Sequence, residues 1–151
     1  METTNENNWS TFTHLSTLSQ YCIPFGNYIF PILIWSSKKD KSDFIDFNGK
    51  QVINFQLSIL IYTLVLAMIA LPIFIVSFFN IIPLNTIIND TDTVLNNFNL
   101  ESINGILIVG IIAFLLIIGL KIAEFLLIIY AAVKSSNGER YNYPLTISFI
   151  K

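Results

Sequence analysis

The sequence predicts an all-α integral membrane protein, and the grounds are its composition and its long apolar segments. The chain has 151 residues, of which 54% are hydrophobic and 12% are charged, whereas about 25% of residues are charged in a soluble domain. Residues 52–79 and 105–133 are nearly all apolar, and each exceeds the roughly 20 residues that a helix needs to cross a bilayer. A third segment of spanning length covers residues 15–35. We therefore expect three transmembrane helices in a single membrane domain, residues 1–151.

The first segment, residues 15–35, is less regular than the other two. It contains Pro24, Gly26 and Pro31, and a proline inside a helix removes a hydrogen bond and bends the helix. One interpretation is a kinked helix that crosses the membrane, and the alternative is a re-entrant or interfacial helix. Residues 1–14 carry no lysine or arginine, which favours a crossing helix with an outside N-terminus.

The second and third segments have recognisable features near their ends. Pro72 lies late in residues 52–79, where a membrane helix tolerates a proline and is expected to kink. Lys134 follows the last apolar residues of the third segment and complements the negative end of the helix dipole. Asn137 and Gly138 come next, and such a pair supplies the left-handed residue that commonly ends a helix.

The distribution of basic residues predicts the orientation of the chain. Lysine and arginine occur in residues 36–51 and after Val133, whereas residues 80–104 contain neither. Positive charge accumulates on the cytoplasmic side of membrane proteins, so we expect a short cytoplasmic loop, an outward loop at residues 80–104 and a cytoplasmic C-terminal tail. The abundance of isoleucine, asparagine and phenylalanine suggests an AT-rich bacterial genome, which makes the bacterial inner membrane the expected location of this multi-pass protein.

Lys121 and Glu124 form the candidate functional pair inside the third segment. They are three residues apart and therefore share one face of a helix, which also carries the small residue Gly110. A lone charge at the centre of a membrane helix costs about 2.5–3.5 kcal/mol, and two opposite charges offset part of that cost for each other. We interpret them as a structural ion pair inside the bundle, with Tyr62 and Thr63 as hydrogen-bond partners. The alternative is a relay for protons or ions.

The remaining composition argues against several classes of function. A single cysteine and a single histidine leave little for a catalytic or metal-binding centre, so we predict a protein that is not an enzyme and has no cofactor or metal site. The formal net charge of −2 does not indicate a nucleic-acid partner. The expected partners are the lipid bilayer and other membrane protein subunits, and a homo-oligomer is compatible with the sequence.

Several short motifs resemble a known family. They are residues 14–16 (HLS), 31–35 (PILIW), 38–40 (KKD), 44–46 (FID), 51–56 (QVINFQ) and 137–145 (NGERYNYPL). In this order and spacing they resemble a family of small bacterial membrane proteins related to the twenty-kilodalton inner-envelope subunit of the chloroplast protein-import translocon (Tic-twenty-like). The resemblance implies a helical membrane protein with a channel-forming or scaffolding role in protein translocation.

The same motifs have a physical interpretation of their own at the predicted cytoplasmic boundary. Tryptophan and tyrosine anchor helices at a membrane interface, asparagine and glutamine satisfy backbone groups, and proline ends a helix. We therefore predict a cytoplasmic interface that holds the helix ends together, formed by Trp35, Asn54, Gln56, Asn137, Gly138, Tyr141, Tyr143 and Pro144.

Two functions are consistent with these observations. The first is a non-enzymatic subunit or scaffold of a larger membrane complex, concerned with protein translocation or membrane-protein biogenesis. The alternative is a small oligomeric channel, or a transporter coupled to protons or ions, that uses Lys121 and Glu124. Three helices leave little room for a pore within one chain, so the channel requires oligomers.

Overall fold

The computed structural model describes the backbone of residues 2–81 and 105–151, and the side chains of residues 4–77 and 107–151. Four α-helices make up most of these ranges: α1 (Glu2–Ser16), α2 (Gly26–Lys38), α3 (Asp43–Ile81) and α4 (Gly105–Ser136). Two short 3₁₀ helices, Thr17–Tyr21 and Lys39–Lys41, follow α1 and α2. The described residues contain no strand, so the all-α prediction is confirmed for them. Residues 82–104 of the predicted outward loop lie outside the described part.

Helices α3 and α4 agree with the second and third predicted segments. Within them, Asp43–Ser77 and Leu107–Ser136 are long and apolar enough to cross a membrane, with lengths of 35 and 30 residues. Little of their most apolar stretches is buried inside the protein, as expected of helices that contact lipid. Pro72 lies inside α3 without ending it.

The prediction of a third crossing helix at residues 15–35 is wrong. Helix α1 ends within this segment, and α2 does not begin until Gly26. Pro24 interrupts the helical hydrogen bonds, and Phe25 adopts a left-handed backbone with φ of 61°, which a helix cannot contain. The 13 residues of α2 span about 20 Å, less than the roughly 30 Å of a bilayer core. Among the described residues only α3 and α4 meet the criteria for a spanning helix.

The contacts within the chain divide it into two compact units. One consists of residues 1–61 and 121–151, and the other of residues 62–120. We call the first the cap. In the second unit α3 and α4 pack closely, because a side-chain carbon added at Gly110 would lie 2.6 Å from Ile73 Cγ2. The rings of Phe74 and Phe114 meet edge to face there, with centroids 6.0 Å apart.

The cap combines a polar interior with an apolar outer surface. Its buried polar residues are Ser10, Thr13, His14, Thr17, Asn27, Asn48, Asn54, Gln56, Ser58, Glu124 and Ser135. Its exposed large apolar residues include Phe12, Ile23, Phe25, Ile29, Leu33, Phe125, Leu126 and Val133. A soluble protein rarely exposes so many large apolar side chains together, and lipid is an environment in which such a surface is stable.

Helix α1 lies antiparallel to the last turns of α4. The Asn7 side chain donates to the Ser136 carbonyl at 3.3 Å, and the Thr11 hydroxyl oxygen lies 3.5 Å from the Ala132 carbonyl. The N-terminus therefore lies at the same end of the cap as the end of α4. This arrangement contradicts the predicted outside N-terminus opposite a cytoplasmic tail, because the first segment doubles back instead of crossing.

Candidate functional site

The charged pair of α4 lies in the cap, where Glu124 is buried and both of its carboxylate oxygens accept hydrogen bonds. Lys121 Nζ is 2.8 Å from Glu124 Oε2, and Gln20 Nε2 donates to Glu124 Oε1 at 3.1 Å. The Glu124 side chain is 0% exposed, whereas that of Lys121 is 43% exposed. Each carboxylate oxygen therefore has its own donor, which compensates for burial of the charge.

Gln20 was not among the predicted partners of this pair. It belongs to the 3₁₀ helix after α1, inside the segment that was expected to cross the membrane, and only the break in that segment brings it to Glu124. The signal in the sequence was an amide side chain within a segment of spanning length. Tyr62 and Thr63 belong to the other compact unit, so their bonds to the pair stay a prediction.

A second buried cluster joins α1, α3 and the C-terminal tail. Tyr143 Oη lies 2.8 Å from His14 Nδ1, and Asn48 Oδ1 lies 2.9 Å from His14 Nε2. Asn48 Nδ2 donates to the Phe44 carbonyl at 2.8 Å, which leaves its oxygen to accept. The imidazole is therefore the tautomer with hydrogen on Nε2, and Tyr143 donates its hydroxyl hydrogen to Nδ1.

Burial keeps both ring systems of this cluster uncharged at neutral pH. Desolvation lowers the pKa of His14 from 6.5 to about 4, although the hydrogen bond with Asn48 opposes the change. Desolvation also raises the pKa of Tyr143 well above its usual value. The cluster thus joins three parts of the chain through neutral hydrogen bonds.

The free energy of unfolding of the cap should decrease as the pH is lowered, because His14 is buried in its neutral form. A buried neutral imidazole stabilises the fold fully above the unfolded pKa of 6.5, and this contribution is lost as pH falls from 6.5 to about 4. The difference corresponds to about 3 kcal/mol. Thermal unfolding of the wild type and of His14→Gln, measured in detergent at pH 7.5 and 4.5, provides the check. The variant should start less stable and lose less on acidification, and equal pH dependence of the two proteins would exclude His14 as the cause.

Asn54 and Ser58 of α3 hold the C-terminal segment by its backbone. Asn54 Oδ1 accepts hydrogen bonds from the amides of Phe149 and Ile150 at 3.0 and 2.8 Å, and Asn54 Nδ2 donates to the Ile150 carbonyl at 2.9 Å. The Ser58 hydroxyl accepts from the Ile147 amide at 2.8 Å. Side chains of α3 therefore satisfy backbone groups of this irregular C-terminal segment.

The 137–145 motif begins as the end of α4 and becomes an anchor. Gly138 has φ of 79° and donates its amide to the Ser135 carbonyl, and the Glu139 amide donates to the Lys134 carbonyl, each at 3.0 Å. These two bonds satisfy carbonyls at the helix end, and the left-handed backbone is one that glycine adopts without strain. The chain then turns so that Tyr143 enters the cap.

Tyr143 is the central aromatic residue of the predicted interface. It is buried, and its ring stacks on that of Phe55 with centroids 4.0 Å apart and an angle of 9° between planes. Tyr141 meets Tyr143 edge to face at 5.3 Å and remains partly accessible. Pro144 is exposed, beside a left-handed backbone at Leu145 with φ of 58°.

Trp35 and Gln56 lie on the seam between α2 and α3. Trp35 Nε1 donates to Asp46 Oδ1 at 2.9 Å, and Asn27 Nδ2 donates to Gln56 Oε1 at 2.8 Å. A side-chain carbon added at Gly49 would lie 2.2 Å from Trp35 Cδ1, so this seam is tightly packed. The predicted interface residues are thus distributed over the cap and do not form a single cluster.

A comparison with protein families identifies the family of this chain. The model of the magnetosome magnetite crystal formation protein family (MamF/MmsF) matches residues 5–150. The chain belongs to this family. No curated protein and no solved structure matches the chain. Together with the two long apolar helices, membership of the MamF/MmsF family indicates a membrane protein.

The MamF/MmsF match overturns the resemblance to the chloroplast translocon subunit. The family model covers nearly the whole chain, whereas the resemblance rested on six short motifs. Those motifs have structural roles here, such as ending α4 and anchoring the tail, which many helical membrane proteins require. Protein transport and a translocon are therefore not supported as the setting of this chain.

The described residues also bear on metal binding. Nowhere in residues 4–77 and 107–151 do three or more histidine, cysteine, aspartate or glutamate side chains come together as metal ligands would. Asp90, Asp92 and Glu101, the acidic residues of the predicted outward loop, lie outside the described part.

Proposed function

We propose that this chain is a non-enzymatic membrane subunit that acts as a scaffold in the assembly of a larger membrane complex. The family name suggests that this complex takes part in magnetite crystal formation in a magnetosome membrane. The observation that carries the proposal is the closed cap, in which buried side chains join both ends of the chain to α3 and α4. A scaffold needs a surface of fixed shape, and such bonds fix one.

The hydrogen bonds that close the cap join parts of the chain that are far apart in sequence. Asn54 alone makes three hydrogen bonds to the C-terminal segment, and His14 links α1 both to α3 and to the tail. Each buried bond contributes about 1 kcal/mol when made and costs more when one partner is missing. The outer face of the cap is thereby held in one arrangement.

The positions of the basic residues support a proposed orientation of the cap in the membrane. The lysines at the end of α2 and the basic tail favour the cytoplasm for this end of the cap. The segment between α1 and α2 carries exposed apolar side chains, including Ile23 and Phe25, so we place it as a re-entrant turn within the bilayer. Both termini then face the same side of the membrane, with the C-terminus cytoplasmic.

Loss of the Asn54 bonds should separate the subunit from its complex. In native membranes extracted with a mild detergent, the wild type should migrate on a blue-native gel as a discrete complex with other membrane proteins. Asn54→Ala releases the C-terminal segment and should leave most of the protein inserted but outside this complex. Gln51→Ala removes an amide side chain from the same helix one turn earlier and serves as the matched control.

Two results would contradict the scaffold proposal. One is a wild-type protein that migrates only as a free monomer, and the other is equal recovery of the complex by Asn54→Ala. The link to mineral formation has a separate readout, because deletion of the subunit should alter the size or number of crystals seen by electron microscopy. Unchanged crystals would exclude a role in mineral formation. The native gel would still test the scaffold role.

A further inference from the structure

A groove with two lysines lies on the cap between the start of α1 and the end of α2. Its volume is about 420 Å³, and it is lined by Asn5, Glu6, Trp9, Lys38, Lys41 and Ile45. Lys38 Nζ lies 4.4 Å above the centre of the Trp9 ring. The groove is thus a small polar recess with an aromatic wall and two ammonium groups.

Among the described residues, no ion pair balances the charges of this groove. The salt bridges there belong to Lys50, Lys121 and Lys134, so neither groove lysine has a described carboxylate within 4.0 Å. Glu6 lines the groove without pairing with either lysine. Both lysines line the same groove, and the neighbouring Lys41 ammonium lowers the pKa of Lys38.

We propose that this groove binds the phosphate of an anionic phospholipid headgroup. An anion between Lys38 and Lys41 would relieve their repulsion and accept hydrogen bonds from both ammonium groups. Trp9 lies where an interfacial aromatic ring contacts the headgroup region. The proposal rests on the placement of the cap at the membrane surface that is given above.

The course of α2 favours a lipid over a free phosphate. The helix ends in Lys38, and the residues that precede this end include Ile29, Ile32 and Leu33, which are large, apolar and exposed. These residues lie within about 15 Å of Lys38 along the helix, so that they provide a nearby apolar surface for the acyl chains of a phospholipid whose phosphate is held by the lysines. A free phosphate ion would contact the two lysines but not these apolar residues.

Lipid binding by the purified full chain in a neutral detergent tests the proposal. Phosphatidylglycerol is titrated into the protein, and bound lipid is measured by native mass spectrometry, with the rise in melting temperature as a second readout. A lysine near an anionic headgroup contributes about fivefold in affinity. The variant Lys38→Gln/Lys41→Gln should therefore bind phosphatidylglycerol about 30-fold more weakly than the wild type.

A matched control separates the groove from net charge. Lys50→Gln/Lys134→Gln removes two lysines that already have carboxylate partners, and it should retain wild-type affinity. Phosphatidylcholine and inorganic phosphate should give less than about a tenth of the effect of phosphatidylglycerol at equal concentration.

Three outcomes would overturn the assignment. Equal binding by the groove variant and the wild type would exclude the groove as the site. Equal loss in the control variant would reduce the effect to net charge, and equal stabilisation by inorganic phosphate would exclude a lipid as the preferred ligand. None of these results affects the scaffold proposal, which the native gel tests independently.

Discussion

Replacing Lys121 by leucine should lower the free energy of unfolding by about 3–5 kcal/mol, because it leaves a buried carboxylate without its cation. Glu124 is 0% exposed, and among the described residues it would retain only the amide of Gln20 as a donor. Glu124→Leu should cost less, since Lys121 is 43% exposed and its flexible side chain can carry the ammonium away from the cap.

The double variant Lys121→Leu/Glu124→Leu distinguishes a structural pair from a relay. Removing both charges also removes the cost of burying them, so most of the stability lost in Lys121→Leu should return. Thermal unfolding of the four proteins in one detergent measures this. A double variant as unstable as the worse single variant would mean that the pair is not a compensating unit. If the stable double variant loses an ion flux that the wild type carries in liposomes, the relay replaces the structural interpretation.

Tyr143→Ala should destabilise the cap by about 3–5 kcal/mol, the range found when a buried aromatic ring is truncated. The substitution removes the ring stacked on Phe55 at 4.0 Å and deprives His14 Nδ1 of its donor. The tail after Gly138 should then detach from α3. Chemical unfolding of the detergent-solubilised protein gives the free energy, and limited proteolysis reports release of the tail.

Two further variants divide the effect of Tyr143 into its parts. Tyr143→Phe keeps the ring and loses only the hydroxyl, which should cost about 1–3 kcal/mol for the unpaired acceptor on His14. Tyr141→Ala changes the neighbouring, partly accessible ring and should cost less than half as much as Tyr143→Ala. A Tyr141→Ala protein as unstable as Tyr143→Ala would show that the tail depends on general aromatic packing and not on the buried tyrosine.

The two long helices were predictable because hydrophobic length alone determines them. Residues 52–79 and 105–133 exceed the spanning length, and both lie within the helices α3 and α4 of the structure. The failure at residues 15–35 has a local cause. Counting apolar residues treats the segment as one helix, whereas Pro24 and the left-handed Phe25 divide it into two short helices.

The buried polar network was predictable only in part. The end of α4 at Gly138 follows from glycine's backbone freedom, which is a local property of the sequence. The pairing of His14 with Asn48 and Tyr143 joins residues that are far apart in the chain. Such a pairing depends on how α1 packs, and the sequence was interpreted with α1 on the opposite side of the membrane. Gln20 escaped prediction for the same reason.

The contacts between α1 and α4 limit when the cap can close during synthesis of the chain. Asn7, His14 and Gln20 leave the ribosome before their partners Ser136, Tyr143 and Glu124. The polar side of α1 therefore lacks its partners from α4 and the tail while α3 and α4 are being inserted. The cap can therefore close only after α4 and the tail have been synthesised, and a chain truncated before Ser136 would leave the polar side of α1 without Ser136 and Tyr143 as partners.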